Sequence, residues 1–501
     1  MSDLVPITLA AKMAEWRKEA KLWPPHPYQE AALKALLANG QFGLFLEPGL
    51  GKSAISLAAV QILLKKKLIK RVLIIAPLRV CYDTWPSEIS SWEDFNSLGV
   101  ALLHGPNKEK VLRALEPEHQ VCLINPEGIL WLMSQASRVK ALAADMLIID
   151  ESSLFKSSVS SRYRRLRPYL ASFKRRVILT GSPRPKSYLD LFAQVYILDR
   201  GVTLGQYISH YKSRWFYPTG FQMREWSILP GAAEEINKAI APFVLRLDAK
   251  DYIKLPKEIE QTHRVELPPA ARKEYDNIEE TLMSTLFAAP FVNSAAARSK
   301  CAQLANGAIY LDAGPQDARW PTKQRPVKFI HTAKVDALVE LYGELQGSPL
   351  LTSIEFRHDV DAIRKALGKD IPCINGDTTR SQAADYIERW NKGLIPLLLI
   401  QPQSAGHGIN LQKSECSHVA FFSLPDNFDT YFQTFCRVYR QGNKASFVIR
   451  HLFVTQNTVD VAKLANLRRK GSGQAAFLNA MRDYAEQKYG KNFAGLKRSA
   501  K

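Results

Sequence analysis

The sequence predicts an α/β fold: two parallel-sheet lobes, each covered by helices, with a helical insertion between them. Three observations predict it. Short β-branched apolar runs alternate with helical patterns up to about residue 180, and a second set of runs repeats the alternation from Leu350 onward. Between the two sets, after about residue 185, the chain turns helical and basic, through Arg214, Arg224, Lys250, Lys254 and Lys257. Strand–helix alternation of this kind argues for parallel strands joined by helical crossovers.

Taken in order, the first set of strands is expected at Phe42–Leu46, Arg71–Ala76, Val121–Asn125, Met146–Asp150 and Arg176–Thr180, with a helix opening after Ser53 and running from Ala54 to Leu68. Residues 286–334 are rich in Ala, Gly, Pro, Lys and Arg with weak periodicity, and read as a linker. The second set falls at Leu350–Ser353, Cys373–Asn375, Leu397–Ile400, Val419–Phe422 and Phe447–Phe453. The expected domains are therefore 1–200, a first lobe; 201–334, a helical insertion and linker; 335–475, a second lobe; and 476–501, a basic tail ending in Lys-Arg-Ser-Ala-Lys.

A chain of 501 residues holds about two to four domains. Its formal charge of +20 points to a polyanionic partner, nucleic acid before membrane. Cys81, Cys122, Cys301, Cys373, Cys416 and Cys436 form no Cys-x-x-Cys pair, which argues against a zinc site and for free thiols in a reducing compartment. The mixed, charged start resembles no secretory signal, and no apolar run reaches membrane-spanning length. A soluble, intracellular protein is expected.

Three stretches carry chemistry. Glu47-Pro48-Gly49-Leu50-Gly51-Lys52-Ser53 lies between an apolar strand and a helix. Glycines there let backbone N–H groups turn toward phosphate oxygens, Lys52 supplies a charge for the β- and γ-phosphates, and the Ser53 hydroxyl can ligate Mg²⁺. The strict pattern has Gly six residues before the Lys, where this chain has Leu46. Asp150 and Glu151 end a strongly apolar strand, where ligands of a doubly wound sheet sit. Asp150 suits a Mg²⁺-holding carboxylate and Glu151 the group that orients and deprotonates an attacking water. Arg437 and Arg440, three apart, are expected on one helix face, from which guanidinium groups can stabilise charge developing on a phosphoryl group.

With these residues in order, the chain resembles the superfamily 2 helicase-type motors, closest to the compact bacterial and phage Swi/Snf-like DNA translocases. The resemblance runs from about residue 22 to residue 470. His26-Pro27-Tyr28-Gln29 resembles the adenine-reading segment, Leu73–Pro77 motif Ia, and Ile124–Glu127 motif Ib; Trp85–Glu88 resembles a Trp-x-x-Glu-like stretch. Asp150-Glu151-Ser152-Ser153 stands at motif II with Ser153 in place of the usual His, and Leu179–Pro183 resembles motif III. Pro242-Phe243-Val244-Leu245-Arg246 followed by Leu255-Pro256-Lys257 resembles the Snf-type lobe boundary. Leu351–Phe356, Gln403–Leu411 and Gln433–Gly442 stand for motifs IV, V and VI, with Cys436 replacing the usual Gly.

The resemblance implies two RecA-like lobes, ATP and Mg²⁺ as cofactors, and hydrolysis in the cleft between lobes. It implies nucleotide contacts from Tyr28, Gln29, Gly49, Gly51, Lys52, Ser53, Gly408 and Gln433, and catalysis by Lys52, Asp150, Glu151, Arg437 and Arg440. Thr180 and Ser182 are the implied coupling residues, and Pro77, Asn125, Ser404 and Asn410 the implied DNA contacts. The partner implied is DNA, duplex favoured over single-stranded or branched forms, and the chain is expected to act as a monomer. Translocation is the leading expectation and strand separation the alternative. A nucleic-acid-binding scaffold with an inactive nucleotide site is the reading from a different class, motivated by Leu46 and Ser153.

Overall fold

The computed structural model describes residues 4–181, 187–219, 225–253, 255–288, 294–311, 326–405 and 409–471. The chain divides into two compact units, one up to Ile253 and the other from Lys254 to Gly471.

The first unit is built on strands β1 (Gln41–Leu46), β2 (Val72–Ile75), β3 (Val100–Leu102), β4 (Val121–Ile124), β5 (Met146–Asp150) and β6 (Arg175–Leu179). A hairpin follows, β7 (Phe216–Thr219) with β8 (Glu225–Ile228), and then β9 (Val244–Leu247). The main sheet runs β3-β4-β2-β5-β6-β1-β9, parallel throughout. Strands β2 and β4 are buried at every position, the continuous apolar run that a parallel sheet covered on both faces requires.

Arginines tie the amino ends of these strands to backbone carbonyls. Arg71, just before β2, donates to His119 O (2.8 Å), Leu142 O (2.7 Å) and Glu116 O (2.6 Å). Arg175 donates to Leu37 O and Asn39 O, closing the C-terminal end of the helix Pro27–Ala38. Arg176 donates to Leu198 O, Leu170 O and Phe173 O. Buried guanidinium groups that satisfy orphan carbonyls make this end a structural base. The opposite end, at the strand C-termini, carries the chemistry-bearing residues.

The second unit is a six-stranded parallel sheet. Its first strand in sequence is β10 (Lys257–Val265); β11 (Ala308–Tyr310) and β12 (Val327–Phe329) form a separate antiparallel pair; β13 (Leu350–Ser353), β14 (Cys373–Ile374), β15 (Leu397–Ile400), β16 (His418–Phe421) and β17 (Phe447–Thr455) complete it. The order is β10-β17-β16-β13-β15-β14. The segment read as a helical insertion thus holds helices, such as Ala232–Ile240 and Pro269–Ala288, and also gives one strand to each sheet: β9 to the first and β10 to the second. No described helix is long and apolar enough to cross a membrane.

Candidate active site

The turn after β1 reaches the helix Lys52–Lys65 through two residues in the left-handed region, Gly49 (φ 92°) and Gly51 (φ 74°). A Cβ at Gly51 would lie 2.3 Å from Gln29 Nε2, so both backbone and space demand glycine. Lys52 Nζ donates to Leu46 O (2.7 Å) and Glu47 O (3.2 Å), which holds the ammonium across the mouth of its own loop. Ser53 is half-buried in the first turn of the helix, whose N-terminal N–H groups favour an anion. Gln29 is buried against this loop, donating to Leu50 O at 3.3 Å while its Oε1 accepts from His26 N at 2.8 Å. Tyr28 is packed into the core between His26 and Tyr252, and burial pushes its hydroxyl up to about 12.

Asp150 ends β5, two strands from β1 across β6. Trp85 Nε1 donates to its Oδ2 at 3.0 Å. Burial raises the Asp150 carboxyl to about 6; the Lys52 ammonium pulls it down and the Glu151 charge pushes it up. Glu151 itself sits at φ 59°, a left-handed conformation rare for a residue with a side chain. Its Oε1 accepts from Ser153 Oγ (2.6 Å) and from Thr180 Oγ1 (3.1 Å). Ser153, which occupies the place of the family's His, is thereby linked to Thr180 through the Glu151 carboxylate. Ser152 turns into the core and donates to Gln194 Oε1 at 2.7 Å. Gly181 lies against the turn after β1, where a Cβ would stand 3.3 Å from Pro48 Cδ. Ser182 falls outside the described residues.

One participant escaped sequence reasoning, which took Pro242–Arg246 only as a boundary mark. Arg246, 1% exposed in β9, donates from Nη1 to Phe45 O (2.9 Å) and from Nη2 to Glu47 Oε1 (3.1 Å), and also pairs with Asp248. Glu47 Oε2 accepts from Ala249 N at 2.8 Å, and Glu47 N donates to Leu247 O at 3.3 Å. The turn after β1 is thus clamped to β9. The available signal was an arginine inside an otherwise apolar strand, flanked two residues on by an aspartate.

Pro77 precedes the helix Leu78–Tyr82 at the C-terminal end of β2, and Asn125 follows β4. Asn125 is buried, with Nδ2 donating to Glu127 Oε2 at 2.8 Å. In the second unit the helix Phe428–Phe435 carries half-buried Gln433 and stops before the two arginines. Arg437 and Arg440 therefore lie in successive turns, with Arg440 N donating to Val438 O, rather than on one helix face as expected; the helix closes at Cys436. Both reach the segment that follows β15: Arg437 Nη1 donates to Ile409 O (3.2 Å) and Arg440 Nη1 to Asn410 Oδ1 (3.0 Å). Ser404 lies in the short helix Pro402–Ala405, and Gly408 is outside the described residues. The structure thus gathers Gln29, Gly49, Gly51, Lys52, Asp150, Glu151 and Thr180 in the first unit, and Asn410, Arg437 and Arg440 in the second.

The sequence matches the SNF2-related domain over residues 28–309 and the helicase conserved C-terminal domain over residues 333–442. The chain belongs to the SNF2-related family. A similar protein is p41 of Acyrthosiphon pisum secondary endosymbiont phage 1, 30% identical over 478 residues that span 92% of this chain and 99% of that one. The DNA repair and recombination protein RAD54B of Gallus gallus is 24% identical, over 83% of this chain and 50% of its own length. The chain therefore matches nearly all of the phage protein and about half of RAD54B. Among solved structures, the Sulfolobus solfataricus SWI2/SNF2 ATPase core in complex with dsDNA is 21% identical, with a TM-score of 0.41 over 94% of this chain and 98% of that one.

Proposed function

We propose that this chain is an ATP hydrolase that couples turnover to movement along DNA, with duplex the favoured track, in the cytoplasm of a bacterial or phage-infected cell. The observation that carries the reading is the convergence of Lys52, Asp150 and Glu151 at the C-terminal ends of β1 and β5 in one sheet, with Asp150 within electrostatic reach of Lys52. On nucleotide binding, Lys52 exchanges the carbonyls of Leu46 and Glu47 for phosphate oxygens, and the helix N-terminus behind it stabilises the same charge. Glu151, oriented by Ser153 and Thr180, accepts the proton of the attacking water.

The donor set fits Mg²⁺: a buried carboxylate, costly to ionise without a nearby cation, together with a serine hydroxyl, both hard oxygen ligands. Asp150 and Ser53 would hold the ion, which neutralises charge on the transferred phosphoryl group. Arg437 and Arg440 are the second unit's candidates for stabilising that charge. In this reading residues 1–200 and 335–475 form the bulk of the two motor lobes, and 201–334 adds β9 to the first and β10 to the second.

The test is ATP hydrolysis without nucleic acid and with duplex DNA, single-stranded DNA or RNA, for the native chain and Glu151→Gln. Stimulation by duplex, lowered about a hundredfold or more in the variant, is expected. Stimulation mainly by single strands would favour strand separation. No turnover under any condition would leave the inactive scaffold.

A further inference from the structure

The segment between β5 and β6 reads Ser-Arg-Tyr-Arg-Arg-Leu-Arg-Pro, and no role in the nucleotide site uses its arginines. Arg162, at its start, lies 3.8 Å from Glu127, whose other carboxylate oxygen accepts from Asn125. Roughly 8 Å further along the segment, at about 1.5 Å per residue, is Arg167. There Arg164, Arg167 and Arg200 line one pocket with Pro168, Ala171 and Tyr196.

The pocket is organised in advance. The Arg167 guanidinium stacks on Tyr196 with its carbon 4.7 Å from the ring centre, and its Nη2 donates to Gln206 O at 3.0 Å. Arg200 sits at φ 61°, the left-handed residue that closes the helix Leu191–Asp199 and turns the chain back. The neighbouring acid, Asp199, braces this turn by accepting from Gly201 N (2.8 Å) and Thr203 N (2.7 Å). Among the described residues no carboxylate forms an ion pair with Arg164, Arg167 or Arg200. Three guanidinium groups that line one pocket favour an anion supplied from outside.

Place decides what the partner is. Arg176, at the amino end of β6, binds Leu170 O and Leu198 O, so the pocket lies beside the base of the sheet. Pro77, Asn125 and Glu151 lie at the opposite, carboxyl end. A row of arginines thus runs from the Asn125 turn, beside the expected track, down the flank to a pocket beside the base of the sheet. Planar guanidinium groups match phosphate oxygens in geometry as well as charge.

We propose that the Arg164–Arg167–Arg200 pocket is an accessory phosphate site that holds the backbone of a second nucleic-acid segment, one leaving the motor track. The assignment rests on the proposed DNA-dependent function. It makes the first unit a two-point holder of DNA, suited to bent or branched substrates more than to short linear ones.

The experiment measures affinity against salt for a three-way branched DNA and for a 12-base-pair duplex, comparing the native chain with Arg164→Gln/Arg200→Asn. Asn is chosen because it tolerates the left-handed backbone at position 200. Thermal melting checks that the variant is folded, and Arg164→Lys/Arg200→Lys serves as the charge-retaining control. Removing one arginine–phosphate pairing should lower the slope of log K against log salt by about 0.9. For the branched DNA a decrease of about one to two is expected, with roughly tenfold weaker binding at low salt. The Lys control should keep the slope, and the short duplex should not respond.

Native slope and affinity in the variant would overturn the site. Equal weakening on the short duplex would put these arginines in the track and overturn the accessory role. Millimolar inorganic phosphate bound by the native chain but not by the variant, with unchanged DNA slopes, would assign the pocket to a free anion instead. Failure of the native chain to bind any DNA would remove the proposed function itself, and this site with it.

Discussion

Arg246 shows how one side chain can set the geometry of a loop it does not belong to. Its guanidinium is wholly buried between Phe45 O, Glu47 and Asp248. Removing only the cation takes the paired charge away from two carboxylates in a largely buried site, a loss of about 3–5 kcal/mol. Arg246→Met should therefore lower the urea midpoint of the full chain markedly. Arg246→Met/Asp248→Leu should recover part of that stability, because the buried negative charge goes with it. Both variants lose the guanidinium's hold on Glu47 Oε1, so ATP affinity should stay weakened in both, as read by nucleotide titration. Recovery of affinity together with stability would mean that Arg246 serves the fold alone. At the same scale, the replacement at Ser153 is accommodated without the family's His: a hydroxyl donated to Glu151 reaches Thr180 through one shared carboxylate.

Among the elements, legibility followed the length and unbroken apolar character of a run rather than burial as such: β3 and β9 are buried at every position, but β3 is only three residues long and β9 is interrupted by an arginine. Strands β1, β2, β4, β5 and β6 lie within a residue of their expected limits, because strands covered on both faces are unbroken apolar runs. Strands β9 and β10 were not read. β9 carries a buried arginine, and β10 is a polar edge strand, Lys-Glu-Ile-Glu-Gln-Thr-His-Arg-Val, paired only with β17. Its Glu260 pairs with Arg450 of β17 (3.7 Å) and with Arg468 (2.7 Å), and its Glu258 also pairs with Arg450; those contacts no local pattern announces. The same edge holds a ladder of histidines: His263 Nε2 to His451 Nδ1 at 2.9 Å, and His451 Nε2 to His418 Nδ1 at 3.0 Å. Burial lowers all three, His451 to about 3 with help from its two neighbours, while Glu340 and Glu344 partly offset the effect at His263. The folded ladder is thus neutral where the unfolded chain, with histidines near 6.5, begins to take up protons. Stability is full above about pH 6.5 and falls as pH drops, by up to about 1.4 kcal/mol per pH unit for each histidine. Urea unfolding at pH 7.5 and 5.5 should show this loss. His451→Leu should flatten the dependence, and an unchanged slope would exclude the ladder as its source.

At the scale of the whole chain, the residues that sequence motifs singled out are carried by two separate units: Lys52, Asp150 and Glu151 by the first, Arg437 and Arg440 by the second. Motif spacing made this division legible, since each cluster sits at the end of its own set of strands. The contacts within each cluster were not legible, because Trp85 with Asp150 and Arg440 with Asn410 join residues 65 and 30 apart in sequence. Under the proposed function, binding and turnover separate along the same line. Lys52 and the helix behind it stabilise phosphate in the ground state, so nucleotide affinity belongs mainly to the first unit. An arginine that meets charge only as it develops acts on the transition state and contributes about 10³–10⁵ in rate. Arg440 donates to the exposed Asn410, whose backbone oxygen accepts from Asn391, and a melting curve of Arg440→Gln checks that the second unit stays folded. Arg440→Gln is therefore expected to keep ATP affinity within a few fold of the native chain while lowering DNA-stimulated turnover about a thousandfold or more. Equal losses in affinity and turnover would place Arg440 in ground-state binding, and native turnover would remove it from the reaction.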